Sequence, residues 1–279
     1  MATASIDRYA VMGNPIAHSK SPLIHTEFAR QTGQHLIYTA ELVGRGELAL
    51  AVKQFQSHNG KGLNITVPFK QDAFALAHEL SPRAQRAGAV NTLVLRGENN
   101  YYGDTTDGIG LVSDLLNNHQ LRLKSKNILL LGAGGAVRGV IEPLMQQSPG
   151  RLVIANRTAA KAVQLAADFS DLGNIQGCGF ADLNNDQFDL VINGTSASLQ
   201  GELPPLPDQL LAHQAVVYDM MYGGHPTPFM QWGTKQGASL SLDGLGMLVE
   251  QAAESFYIWR GVRPQTQPVI ALIRRGLKV

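Results

Sequence analysis

Apolar and polar positions change period repeatedly along the chain. Residues 8–12, "RYAVM", form a short apolar run that predicts a strand, and the following "GNP" is a turn signal. A helix is expected after Ser21-Pro22, where serine reads as N-cap and proline as first helical residue. "LIYTAELV" predicts a strand, "GELALAVKQFQSH" a helix, "GLNITV" a strand, and "FKQDAFALAHEL" a helix through His78. Residues 88–103, "GAVNTLVLRGENNYYG", read as two strands around the turn "GENN". Strand and helix thus alternate over the first hundred or so residues, as in an α/β domain.

The pattern then becomes more regular. "DGIGLVSDLLNN" is helical, "KNILLLG" a strand, "GAGGAVRGVIEPLMQQ" a Gly-rich turn opening a helix, "RLVIANR" a strand, and "TAAKAVQLAADF" a helix. Further strands are expected at "FDLVING", "AVVYDMMY" and "ASLSLDG". Right-handed crossovers would place these strands in one parallel sheet. The chain returns to helix at "GLGMLVEQAAESFYIWRG" and "QPVIALIRRGL".

Composition narrows the function classes. The 279 residues are 44% hydrophobic and carry a net charge of +1, which gives no basis for nucleic acid or an anionic membrane as partner. No apolar run approaches the roughly 20 residues of a spanning helix. The N-terminal "MATASIDRYAVMG" lacks the basic start and apolar centre of a signal peptide. Cys178, the single cysteine, has no internal disulfide partner, which fits a reducing cytoplasm, and reads as a small packed residue. The triplets at Asn64 and Asn193 match a glycosylation pattern that has meaning only in a secreted chain. No Cys/His cluster or H-E-x-x-H motif is present, and His18 and His25 stand seven apart, so no metal is expected.

"NILLLGAGGAVRG" is the clearest chemical motif. Gly132, Gly134 and Gly135 let the backbone turn tightly and approach a pyrophosphate, whose charge meets N–H groups at a helix N-terminus. The third position of the generic fingerprint holds Val137, and a plain βα turn also needs glycine for geometry. NAD-binding domains usually carry an acid at the end of the next strand, yet "VIANRT" offers Asn156, Arg157 and Thr158, with Lys161 one turn on. Arginine's planar fork suits a 2′-phosphate, so NADP is favoured over NAD.

"GLNITVPFK" breaks a local rule. Lys70 falls in the first turn of a helix, where the dipole favours negative charge, and Asn64 and Thr66 share a face of the strand before it. Such departures gather at functional sites. An ammonium aimed at a carbonyl oxygen stabilises the charge that hydride transfer creates there and can donate the proton. A solvated lysine on an exposed turn is the plainer reading of Lys70. Spacing does not separate Asp104 from Asp107 as its carboxylate partner, and Asp107 could equally be a helix cap.

Several of these segments are long and distinctive. "VMGNPIAHSKSPLIH", "NITVPFK", "GAVNTL", "GDTTDGIG", "GAGGA", "NRT", "DMMY" and "DGLGMLVEQAA" resemble the shikimate dehydrogenase family, in that family's order, from about Tyr9 to about Ile270. The resemblance implies a two-domain α/β fold. An N-terminal α/β substrate domain, residues 1–105, is completed by C-terminal helices, residues 244–279. A Rossmann-type NADP-binding domain with a parallel sheet, residues 106–243, is inserted between them. It also implies reversible NADP-dependent reduction of 3-dehydroshikimate to shikimate, on the route to chorismate and the aromatic amino acids.

Matched residue by residue, Ser19 and Ser21 would hold the substrate carboxylate. Asn64, Thr66, Asn91 and Asp107 would meet hydroxyls and the reacting oxygen, Tyr222 and Gln251 would complete the pocket, and Lys70 with Asp107 would form the catalytic pair. The family motif thereby selects Asp107 over Asp104. On the cofactor side stand Gly132, Ala133, Gly134, Gly135 and Ala136, then Asn156, Arg157, Thr158 and Lys161, and finally Met220 and Gly244. Two positions depart from the pattern. Pro82 stands where some members have an acidic cofactor contact, and Lys161 stands where one member has arginine, keeping charge but not the fork. The expected partners are small molecules, shikimate and 3-dehydroshikimate, and the expected assembly is a monomer or homodimer. A quinate/shikimate dehydrogenase of broader substrate and cofactor use is the nearest alternative, and a non-catalytic NADP-binding sensor is the alternative of another class.

Overall fold

The computed structural model describes residues 6–98, 100–183, 186–195, 197 and 201–277. Strands β1 (Asp7–Gly13), β2 (Leu36–Leu42), β3 (Gly60–Ile65), β4 (Glu79–Leu80), β5 (Thr92–Leu95) and β6 (Tyr101–Asp104) form one six-stranded sheet in the order β2-β1-β3-β5-β6-β4. β1 runs parallel to β2 and β3, whereas β5 is antiparallel to both β3 and β6. Helices α1 (Ser21–Thr32), α2 (Leu48–Ser57), α3 (Lys70–Leu76) and α4 (Pro82–Ala87) fill the connections. Val52, Phe55, Phe69 and Ala73 from the helical segments bury against Ala10, Leu63, Ile65 and Leu93 of the strands.

After α5 (Asp107–Ser113) and a short π-helical turn at 114–118, a second sheet forms. Its strands are β7 (Asn127–Leu131), β8 (Arg151–Asn156), β9 (Ile175–Gly179), β10 (Phe188–Asn193), β11 (Leu211–Asp219) and β12 (Leu240–Asp243). All pair in parallel, in the order β12-β11-β10-β7-β8-β9. Parallel strands covered on both faces read as unbroken apolar runs, and Ile128 to Leu131 are completely buried. Helices α6 (Gly135–Met145), α7 (Ala159–Asp168) and α8 (Pro228–Lys235) provide crossovers, followed by α9 (Leu245–Arg260) and α10 (Gln267–Leu277). This is the doubly wound arrangement expected of a Rossmann-type domain.

The chain divides into two compact units, Met1–Gly110 with Val249–Ile273, and Leu111–Leu248 with Arg274–Val279. These divisions differ from the sequence-read boundaries at 105/106 and 243/244, and they return residues 274–279 to the second unit. Leu111 and Met247 are buried in that unit's apolar core, so the first residues of α9 cannot be separated from it.

Several local expectations need correction. Ser21 is the first residue of α1 rather than its N-cap, a place taken by Lys20; the Ser21 N–H is instead met by the Ser19 hydroxyl at 3.3 Å. β3 ends at Ile65, so Thr66 lies beyond it and does not share a strand face with Asn64. α3 stops at Leu76 because Ala77 is extended and the His78 N–H pairs with the Tyr101 carbonyl. α4 has no counterpart in the sequence reading, although Ser81 caps the Ala84 N–H and Gly88 closes the helix at φ 62°.

Candidate active site

In the first unit, backbone pairing gathers three polar residues. The Val90 N–H donates to the Lys70 carbonyl, and the Asn91 N–H to the Asp104 carbonyl. The start of α3, the approach to β5 and the end of β6 are thereby locked side by side. From this frame the Lys70 ammonium reaches the Asp107 carboxylate, Nζ to Oδ2, at 2.5 Å. Asn91 donates from Nδ2 to the other Asp107 oxygen at 2.9 Å and also meets Thr106 and Gln251. Lys70 and Asp107 keep 27% and 15% of their side-chain surface exposed, so the pair is sheltered yet open to a small molecule.

Behind the pair lies a buried polar layer centred on Asn64. Asn64 accepts from the Tyr38 hydroxyl at 2.7 Å and donates toward the Asn91 carbonyl, Thr92 and Ser255. Ser255 also bonds Thr92 and Thr106, and donates to the Gln251 carbonyl one helical turn back. His25 stacks flat on Tyr38, with ring centroids 4.2 Å apart and planes 4° from parallel. Burial pushes its pKa down to about 3, against the opposing pull of Asn64, so the imidazole is neutral.

Asp104, the alternative carboxylate, is spent elsewhere. It accepts a bidentate pair from Arg83 at 2.7 and 2.9 Å and a further bond from the Ser81 hydroxyl. Arg83 continues to Glu254 at 3.1 Å, and Glu254 to Arg263 at 2.6 Å. Burial alone would lower the Arg83 pKa, but its bonds to Asp104 and the nearby carboxylates raise it. A carboxylate held in this way is unavailable to Lys70.

In the second unit, the glycine-rich turn follows β7, the strand at which the sheet order reverses direction, with β8 on one side and β10 on the other. That switch point is where open α/β sheets bind ligands, beyond the carboxyl ends of their strands. Gly132 needs its glycine at φ 106°, and its N–H donates to the Ala155 carbonyl. Gly134 is extended and Gly135 begins α6, and a β-carbon added at either would meet no protein atom within 4 Å. The protein's own packing does not require glycine at these two places, whereas a pyrophosphate laid against the backbone would. Asn156 ends β8, the neighbouring strand, and Arg157, Thr158 and Lys161 follow it, all three exposed. No acid stands at this strand end, and the donor set fits the 2′-phosphate of NADP.

Met220 and Tyr222 follow β11, and Gly244 follows β12. Asp219 fixes the first of these loops by accepting from Asn193, the Met221 N–H and the Thr227 hydroxyl. The Gly244 N–H donates to the Met221 carbonyl at 3.0 Å. Tyr222 is half-buried, and burial, with the charge of Asp243 adding, raises its pKa. Among the described residues, no group of three or more His, Cys, Asp or Glu side chains is arranged to hold a metal ion.

Comparison with known proteins decides the family. Residues 11–93 match the family described as the shikimate dehydrogenase substrate binding domain, residues 114–200 the shikimate/quinate 5-dehydrogenase family, and residues 244–274 the shikimate 5′-dehydrogenase C-terminal domain. The chain is 59% identical over 273 residues to the shikimate dehydrogenase (NADP(+)) of Nitrosococcus oceani, covering 98% of this chain and 97% of the relative. It belongs to the shikimate dehydrogenase family. Among solved structures, an Ael1 enzyme from Pseudomonas putida aligns at a TM-score of 0.90 and 45% identity, covering 98% of each chain. Shikimate 5-dehydrogenase from Thermus thermophilus, solved with NADP(H) and shikimate, aligns at 0.86 and 31%, covering 98% of this chain and 100% of that one.

Within this shikimate dehydrogenase scaffold, Lys70, Asn91, Asp107 and Gln251 are gathered in one hydrogen-bonded group. Ser19 and Ser21 are joined to each other at the start of α1, and Tyr222 belongs to the second unit. Sequence reasoning missed Tyr38, Thr106 and Ser255. Ser255 carried a usable signal, since it lies four residues after Gln251 on one helix and so shares its face. Tyr38 carried none, because only the pairing of β2 with β1 brings it near Asn64. Asn64 and Asn193 are both buried and hydrogen-bonded, so neither triplet presents an accessible glycosylation site. Cys178 packs partly buried on β9, and burial raises its thiol pKa, as suits a packing residue.

Proposed function

We propose that the chain catalyses the reversible NADP-dependent reduction of 3-dehydroshikimate to shikimate. The observation that carries this reading is the Lys70–Asp107 pair, held by Asn91 on a chain 59% identical to a shikimate dehydrogenase (NADP(+)). When bound, NADP(H) supplies or takes up the hydride. Lys70 points its ammonium at the substrate oxygen, stabilises the negative charge that gathers there, and delivers the proton that completes the hydroxyl. In the oxidative direction the hydroxyl proton passes back to the pair. Asp107 keeps the ammonium oriented, and Asn91 keeps Asp107 oriented. Ser19 and Ser21, near the N-terminus of α1, receive the substrate carboxylate, while Thr66 and Gln251 meet its hydroxyls. Asn64 serves the same pocket as the keystone of the layer behind it.

Residues Gly132 to Ala136 would cradle the pyrophosphate, Asn156 to Lys161 the adenosine phosphate, and Met220 with Gly244 the far end of the cofactor. The substrate role falls to the first unit and the cofactor role to the second. A cytoplasmic setting belongs to the same reading, supported by a single packed cysteine and by the absence, among the described residues, of a helix long and apolar enough to cross a membrane.

The deciding experiment is a spectrophotometric assay of shikimate-dependent NADP+ reduction, with quinate and NAD+ as controls. Turnover with shikimate and NADP+ at least about tenfold faster than with either control is expected. Comparable rates with quinate and NAD+ would favour the broader quinate/shikimate enzyme, and no turnover with any combination would favour the non-catalytic sensor.

A further inference from the structure

We propose that Arg274, on the last helix of the chain, is a positioning residue that sets the cofactor-facing loops at Met220 and Gly244. The inference rests on the cofactor role just proposed for those two residues. Arg274 forms a two-pronged ion pair with Asp243, at 2.5 and 2.6 Å, and its Nη1 also reaches the Gly223 carbonyl at 3.5 Å. One guanidinium therefore clasps the loop after β11 and the end of β12. Asp243 is only 8% exposed, and it turns the chain into α9 by accepting the Leu245 N–H at 3.2 Å.

The two loops meet backbone to backbone. The Gly244 N–H donates to the Met221 carbonyl, and a β-carbon at Gly244 would collide with the Met220 backbone. Gly224 is pressed against the Leu277 carbonyl in the same way, so the end of α10 itself abuts the first loop. If the fork is lost, a buried carboxylate loses its cation, Asp243 must move or take up water, and the displacement passes directly to Gly244 and Met220. Binding geometry is sensitive to errors of that size. The hydrogen bond to Asp243 also raises the Arg274 pKa, with burial opposing, so the clasp stays charged.

The test is the NADPH dissociation constant, measured by fluorescence titration without substrate, for wild type, Arg274→Gln and Arg274→Lys, with thermal unfolding of each apoprotein in parallel. Arg274→Gln is expected to weaken NADPH binding by about tenfold, and Arg274→Lys, which keeps the charge without the fork, by an intermediate amount. In both variants the loss should appear in the KM for NADP+ more than in kcat. A dissociation constant unchanged in Arg274→Lys and in any folded Arg274→Gln, even with a lowered unfolding temperature, would overturn the proposal and leave Arg274 a purely structural residue. Wild-type protein that fails to bind NADPH would instead overturn the cofactor reading, and the positioning role with it.

Discussion

Lys70 and Asp107 are 37 residues apart in sequence, yet their charged atoms lie 2.5 Å apart. Neither residue arranges this alone. The Val90 and Asn91 N–H groups bind the Lys70 and Asp104 carbonyls in succession, so one short segment sets the separation of both backbones. The Asn91 side chain then takes the second Asp107 oxygen. A single ammonium-to-oxygen vector results, with the Lys70 backbone held by Val90 and the Asp107 carboxylate held by the Asn91 side chain.

The Lys70→Ala variant is expected to lose kcat by about 10²- to 10⁴-fold while NADPH affinity stays near wild type, because in the proposed mechanism the lysine acts on the substrate oxygen. Steady-state kinetics with a parallel cofactor titration check this. Lys70→Arg separates two roles. Substantial retained turnover indicates charge stabilisation, while a loss as deep as that of alanine indicates proton transfer, which arginine's high pKa prevents.

Gly134→Ala should leave folding alone and damage cofactor binding. The position is extended and a methyl there meets no protein atom within 4 Å, so stability should remain within about 0.5 kcal/mol of wild type. A pyrophosphate lying against this backbone would collide with the methyl, raising the KM for NADP+ about fivefold or more. A KM unchanged from wild type would place the pyrophosphate elsewhere.

The cofactor role proposed for Arg157 and Lys161 predicts a change in the choice between cofactors when either is removed. Removing the exposed guanidinium in Arg157→Ala should raise the KM for NADP+ by about tenfold or more and leave that for NAD+ nearly constant, since a charge-assisted phosphate contact disappears from one cofactor only. Equal changes for both cofactors would assign the residue to some other part of the nucleotide.

His25 predicts a pH dependence of stability. Its folded-state pKa, about 3, lies below the ordinary 6.5, so the unfolded chain binds a proton that the folded chain refuses between those values. The stabilisation is complete above pH 6.5 and is lost as the pH falls toward 3, at up to about 1.4 kcal/mol for each pH unit. Replacing the imidazole with an aromatic that cannot titrate, His25→Phe, should flatten this slope. Urea unfolding of both proteins at neutral pH and near pH 5 gives the comparison, and parallel slopes would count against it.

Sequence alone was enough for the alternation of strand and helix, the glycine turn after an apolar strand, the missing acid beyond β8, and the motifs that mark the family. Each of these is local: it depends on residues within a few positions of one another, where periodicity and turn chemistry act directly. Tertiary structure alone decided the rest. It showed what occupies Asp104, the carboxylate the family motif had passed over, by pairing it with Arg83, and it made Asn64 a keystone by bringing Tyr38 and Ser255 to it. It also moved residues 274–279 out of the unit to which their sequence neighbours belong. These outcomes turn on contacts between segments far apart in the chain, and a side chain's hydrogen-bond partner is set by which strands pair, information that no stretch of neighbouring residues contains.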